Sequence, residues 1–292
     1  MPKTTLAVRG FLLHITHHDP DWCLAKSKER LFDLDVAMNV VEALARNGMN
    51  LLIVDCEDGV AYKKHPELMR PYTAPMAALR QLAQAARERG IDIVPKLNFS
   101  AGANVHDMWM RPHWDLVRWL KHSETYWIAA RDLIEELVSV CKPQRYFHIG
   151  MDEDHSRSLR QYVAAIKTLR RMIRRHHLRP VIWNDSCHDS IDALSQVHAE
   201  KSRAAEDFLP RDIVHTLWDY ARCHPALARR ITSKGFELWA APGRDPKQIR
   251  RWKRAVLSAG GTGLIMTNWL KCSKSNRKRL LDQINTLGRE YS

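Results

Sequence analysis

Arg145-Tyr-Phe-His-Ile-Gly-Met-Asp-Glu-Asp154 opens as a strand and closes in acids. Tyr146, Phe147 and Ile149 favour extended backbone, and Gly150 breaks the run. Asp152 and Glu153 follow at once, ahead of a helical segment that begins near Ser156. A strand that delivers two carboxylates into the next loop suits acid–base catalysis, metal ligation or the capping of a helix. The rest of the chain has to decide between them.

Working outward, the same unit recurs. Short apolar runs at 6–13, 50–55, 91–97, 146–150, 180–183, 212–218, 236–241 and 264–268 alternate with amphipathic segments at 28–46, 74–89, 123–141, 156–177, 190–203, 225–232, 245–259 and 275–291. The strands are continuous apolar runs rather than in–out alternations, as in a parallel sheet covered on both faces. Eight such repeats favour an α/β fold of the (β/α)8 TIM-barrel type over an open doubly wound sheet. No linker or shift of composition divides the chain, so residues 1–292 are read as one domain.

In such a barrel the site lies at the C-terminal ends of the strands. The polar residues there are His14 and His17; Asp55, Glu57 and Asp58; Asn98; Asp152 and Glu153; and Asp185, Asp219, Tyr220 and Asn268. Four of the ten tryptophans, Trp183, Trp218, Trp239 and Trp269, are placed at the rim of strands five to eight. Indole faces on one wall with acids and amides on the other make a carbohydrate pocket: a pyranose lays its C–H face on indole, and its hydroxyls take directed hydrogen bonds. The long segment between 99 and 121 adds His106, Trp109, His113 and Trp114, and loops of that length inside a domain commonly carry function.

The bland alternatives stand beside these. Each Trp taken singly is a core aromatic, and Asp152 is an N-cap for the following helix, a role in which Glu153 has little value. His14-Ile-Thr-His17-His18 invites a metal, but its spacing is not His-x-His. Gly260-Gly261-Thr262-Gly263 precedes a strand rather than a helix, so it reads as a turn instead of a phosphate loop.

Charge and cysteines bound the rest. There are 46 Lys and Arg against 33 Asp and Glu, a net +13. Most of the excess sits on amphipathic helices without interleaved aromatics, so it reads as solvated outer faces rather than a nucleic-acid site. Six scattered cysteines with no Cys-x-x-Cys fit free thiols in a reducing compartment. No apolar run approaches the roughly 18 residues of a membrane span, and the first ten residues hold no signal-peptide core. The expectation is a cytoplasmic protein without membrane contact, with oligomerisation left open.

Phe147-His-Ile-Gly-Met-Asp-Glu153 resembles the His-x-Gly-Gly-Asp-Glu signature of glycoside hydrolase family 20, the β-N-acetylhexosaminidases, and in particular the hexosaminidase D-like branch in which Met replaces the second Gly. Arg9-Gly10, Asn50–Asp55 with His65-Pro-Glu-Leu68, and Ile91–Pro95 resemble further segments in order, over nearly the whole chain. Trp183, Trp218-Asp-Tyr220 and Trp269 resemble the family's pocket aromatics.

The resemblance implies a retaining, exo-acting, substrate-assisted hydrolase that needs no metal or other cofactor. Glu153 would be the general acid, Asp152 the residue that holds the 2-acetamido group, and Tyr220 the hydroxyl on its carbonyl. Arg9, Asp55, Asn98, His148, Trp183, Asp185, Trp218, Trp239 and Trp269 would bind the sugar. The sequence departs from the family at Asn98-Phe-Ser-Ala-Gly-Ala-Asn-Val-His106, where Pro-Gly-His is usual, and at Trp269-Leu-Lys271, where Trp-x-Glu is usual. Two other readings remain: a metal-dependent barrel hydrolase or isomerase using His14, His17, Asp55 and Asp152, and a non-catalytic barrel that binds carbohydrate or a polyanion.

Overall fold

The computed structural model describes residues 5–15, 32–101, 124–188 and 192–291. Eight strands pair in parallel and in sequence order, and β8 returns to β1 to close the barrel. They are β1 (Val8–His14), β2 (Leu51–Asp55), β3 (Asp92–Lys96), β4 (Tyr146–His148), β5 (Arg179–Asn184), β6 (Val214–Trp218), β7 (Glu237–Ala241) and β8 (Gly263–Met266). The helices between and after them are α1 (Leu34–Arg46), α2 (Met76–Glu88), α3 (Glu124–Cys141), α4 (Leu159–Arg174), α5 (Ala193–Ala205), α6 (Pro225–Ser233), α7 (Pro246–Ser258) and α8 (Arg277–Tyr291). The eightfold α/β reading of the sequence holds, with element ends displaced by a few residues.

Local chemistry sets those ends. Asp33 caps α1 by accepting from the Val36 N–H, and Asn47-Gly48 stops it with Gly48 at φ 68°. Ser158 and Gln161 form a reciprocal capping box at α4. Asp152 is therefore not the cap of that helix, which leaves its carboxylate available for other chemistry.

Two apolar layers hold the barrel. The outer one packs strands against helices. The inner one fills the barrel with Leu12, Leu51, Ile53, Val94, Val181, Trp183 and Trp239 among others. Trp239 lies low in this interior. Its indole N–H is bonded to Glu237 and Thr262, and its ring meets Tyr146 edge-on at 4.8 Å. Gly263 makes the space, since a Cβ there would stand 2.7 Å from the indole. Trp239 is thus a core residue at mid-strand, and the expectation that it walls the sugar site is corrected.

The outer layer also holds a polar island. His215 on β6 is fully buried and takes the Asn184 side-chain N–H on Nδ1 at 2.9 Å. Burial first, then the cations of Arg211, Arg230 and Lys234, push it down to about 3. The unfolded chain binds a proton below pH 6.5 and the folded chain does not, so stability falls as pH drops through that window. We predict that acidification from pH 7 to pH 5 costs about 2 kcal/mol through this residue. Denaturant titrations at the two pH values check it: H215Q, which keeps an acceptor for Asn184, should lose that much less than the parent.

Candidate active site

The turn after β4 runs through the left-handed region three times in four residues: Gly150 at φ 69°, Met151 at 77° and Glu153 at 49°. Only glycine fits at 150, because a Cβ would lie 2.1 Å from the Asn98 Oδ1. Neighbouring strands hold the turn. Asn98, just past β3, accepts from the Met151 N–H at 3.1 Å, and its Nδ2 donates to the Asp152 carboxylate at 2.8 Å. Ser100 donates to the Asp152 carbonyl. Tyr162 on α4 donates to the Met151 carbonyl at 3.0 Å. Past β5, Asp185 accepts the Glu153 N–H at 2.8 Å and the Trp218 indole N–H at 3.0 Å.

Asp152 and Glu153 accordingly stand at the C-terminal end of the barrel. Asp152 is buried and lines a pocket of about 430 Å³, counting its open mouth. Glu153 is half-buried beside it, close enough that its charge acts on Asp185 and Tyr220. Burial and the charge of Asp152 push the Asp185 carboxyl well above the usual carboxylate range.

One wall is aromatic. Trp183, Trp218, Tyr220 and Trp269 all line the pocket. Trp269 is 44 % exposed and stacks on His14 at 5.5 Å, while Tyr220 meets it edge-on at 6.4 Å. Tyr220 is 36 % exposed, but its hydroxyl is enclosed beside Thr267 and is pushed up to about 12 by that enclosure, so it remains a neutral donor at physiological pH. His188 sits 3.9 Å from the Trp218 ring and bonds through Nε2 to the Trp218 carbonyl at 2.7 Å, which fixes that indole from behind.

The opposite wall is ionic. Lys96, the last residue of β3, places its ammonium 2.7 Å from Asp55 and 3.4 Å from Glu57, all three buried. His14 bonds to the second Asp55 oxygen at 3.0 Å. Burial alone would raise Asp55, but Lys96 and then His14 hold it well below the usual range. Burial also works against Lys96, yet Asp55 and Glu57 keep it charged. The cation beside the His14–Asp55 pair is thus an ammonium from the protein itself.

The structure places Asp55, Asn98, Asp152, Trp183, Trp218, Tyr220 and Trp269 around one pocket, with Glu153 and Asp185 next to it. Asp185 acts from behind, on the Glu153 backbone and the Trp218 indole. His148 lies beneath the pocket: its ring contacts Trp183 at 4.6 Å and its Nδ1 accepts from the Gly150 N–H. Arg9 is placed elsewhere. It is the second residue of β1, and its guanidinium donates to the carbonyls of Gly48 and Leu6 at the opposite end of the barrel. The expectation that Arg9 binds sugar hydroxyls is corrected on that ground. His17, His106, Trp109, His113 and Trp114 lie outside the described residues. Lys96, Ser100, Tyr162 and Thr267 escaped the sequence reading. The sequence offers no signal for Lys96, because β3 carries a charge at each end, Asp92 and Lys96, and only the fold encloses the second between carboxylates.

No family profile matches the chain, and no curated protein matches it either. Solved structures do. A mutant Streptomyces plicatus β-hexosaminidase in complex with the product GlcNAc aligns at TM-score 0.69 and 15 % identity, over 99 % of this chain and 64 % of that one. The glycoside hydrolase family 20 β-N-acetylhexosaminidase of Streptomyces coelicolor A3(2) aligns at 0.68 and 16 %, over 100 % and 65 %. Dispersin B aligns at 0.63 and 13 %, over 98 % of both chains. The chain spans between half and two-thirds of the first relatives it matches. The similarity shows that this chain has the same (β/α)8 fold as those hexosaminidase barrels.

Proposed function

We propose that the protein is a glycoside hydrolase of family 20 that removes a terminal N-acetylhexosamine by substrate-assisted, retaining catalysis. One observation carries the reading: Asp152 and Glu153 stand side by side on a strained turn, the first lining a tryptophan-walled pocket, the second half-buried next to it. Glu153 protonates the glycosidic oxygen as the bond to C1 breaks. The carbonyl oxygen of the substrate's own 2-acetamido group attacks C1 and closes an oxazolinium ring. Asp152, oriented by the Asn98 side chain, accepts the acetamido N–H and stabilises the positive charge, and Tyr220 donates to the acetamido oxygen. Water then adds at C1 with Glu153 as base, restoring the acetamido group and the acid.

The ionic wall of His14, Asp55, Glu57 and Lys96 takes the place of the arginine and the Trp-x-Glu carboxylate that the family resemblance led one to expect. It offers donors and acceptors to the hydroxyls of the bound sugar. The fold likeness and the GlcNAc complex of the Streptomyces plicatus enzyme support the same sugar class.

The test is turnover of aryl N-acetyl-β-glucosaminides and galactosaminides. E153Q should lower kcat by about 10²–10⁴-fold and D152N by about 10²-fold, with the fold intact by circular dichroism. Parent activity on both substrates no higher than that of E153Q would sink the proposal. Asp185 should matter without touching substrate. The amide in D185N cannot accept from both the Glu153 N–H and the Trp218 indole, so one donor is left unmet. An unmet buried donor costs about 1–3 kcal/mol. The expected result is a kcat lower by roughly ten- to a hundredfold, with KM for a small aryl substrate nearly constant.

A further inference from the structure

The sign of the charge reverses between the pocket and the outer wall beside it. Among the described residues the pocket holds Asp55, Glu57 and Asp152 against the cation of Lys96. Past Tyr220 on its rim the chain turns basic. Arg222 follows in the loop after β6, and Arg244 in the loop after β7; both are exposed. A trough between α6 and α7 starts at Ala221 and Arg222, next to the pocket wall, and runs down past Arg229, Arg251 and Arg254. Helix α7 carries Lys247, Arg250, Arg251, Lys253 and Arg254 and no acid. Like charges at this helical spacing repel one another.

The nearby carboxylates are otherwise engaged. Asp245 caps α7, Glu290 pairs with Arg250 at 2.6 Å, and Asp219 faces His224 and the N–H groups of 221 and 222. Among the described residues Arg229, Lys247, Arg251 and Arg254 make no ion pair. From Arg251 to Arg254 the helix rises about 5 Å, and Arg222 and Arg229 line the same trough, so its cations form a strip rather than a point.

We propose that this trough receives the leaving-group portion of an anionic oligosaccharide, whose neutral terminal N-acetylhexosamine fills the pocket. The proposal rests on the hydrolase reading above and gives it a substrate class: chains that bear sulfate or carboxylate groups beyond the sugar that is cleaved. The acidic pocket repels an anion on the terminal unit, and the arginine forks outside it match sulfate and carboxylate oxygens. Among the described residues no aromatic side chain on which nucleic-acid bases could stack lines the trough. It also lacks the large apolar side chains that would enter a membrane.

The probes are chitotetraose and its counterpart with 6-O-sulfates on every unit except the terminal one. Binding to E153Q is measured at low and high salt, and kcat/KM with the parent protein. The sulfated chain should bind about tenfold tighter at low salt, and screening should remove the difference at high salt. R229S/R251S/R254S should abolish the preference while leaving turnover of a small aryl substrate unchanged. Equal binding of the two chains would overturn the proposal. So would a preference that survives in the triple variant, or tighter binding of duplex RNA or anionic vesicles than of the sulfated chain. Absence of aryl turnover by the parent would defeat the hydrolase reading instead, while the binding comparison would still report on the trough.

Discussion

The left-handed turn from Gly150 to Glu153 is the constraint on which the rest of the site depends. Left-handed backbone costs a non-glycine residue on the order of 1–3 kcal/mol, and it persists only where the surroundings over-determine it. Here Asn98 and Ser100 after β3, Tyr162 on α4 and Asp185 after β5 each grip a different backbone group of the turn. The same contacts orient the two acids, so strain and function share their supports. Of the five non-glycine residues with positive φ among those described, Lys142 and His177 follow helix ends, where such a conformation is ordinary. Of the other three, Glu57 lines the pocket, and Met151 and Glu153 flank Asp152, which lines it too.

Electrostatics follow from that placement. Four carboxylates, on Asp55, Glu57, Asp152 and Asp185, are buried within one strand-end region, and taking charge out of water is costly unless it is paired. Lys96 answers two of them directly, and Asn98 gives Asp152 an N–H. Burial and the charge of Asp152 push the Asp185 carboxyl up against the pull of its neutral donors, whereas Lys96 and His14 hold that of Asp55 down. Two aspartates of one barrel are thus pushed in opposite directions, because one meets an ammonium and the other a neighbouring carboxylate.

The barrel was legible because its signals are local: apolar runs, caps and stop residues repeat eight times and need no tertiary information. The catalytic pair was legible because a strand that ends in Asp-Glu has few structural uses, and capping was disposed of once Ser158 and Gln161 were seen to do that work. What the sequence hid was depth along a strand. Residue type places Trp239 at the rim and the family resemblance places Arg9 on the sugar, yet β1 begins at Val8 and Trp239 is the third residue of β7, so both lie too early in their strands to reach the top. Lys96 was hidden for the converse reason. A lysine closing a strand normally reads as solvent-exposed, and only the convergence of β2 and β3 shows that its ammonium is enclosed by Asp55 and Glu57.

Identity of 11–16 % with hexosaminidase barrels conveys shape, and one barrel hosts many chemistries. The chemical argument must come from features a barrel does not need in order to fold. Closing eight strands requires the interior layer of Val, Leu, Ile and Trp side chains and the helix faces outside it. It does not require three left-handed residues in a row of four, a lysine buried between two carboxylates, or a tryptophan left 44 % exposed against a histidine. Each of these lowers stability relative to an apolar alternative, and all of them converge on one 430 Å³ space at the strand ends. A barrel whose only task was to be stable would have no reason to gather them there.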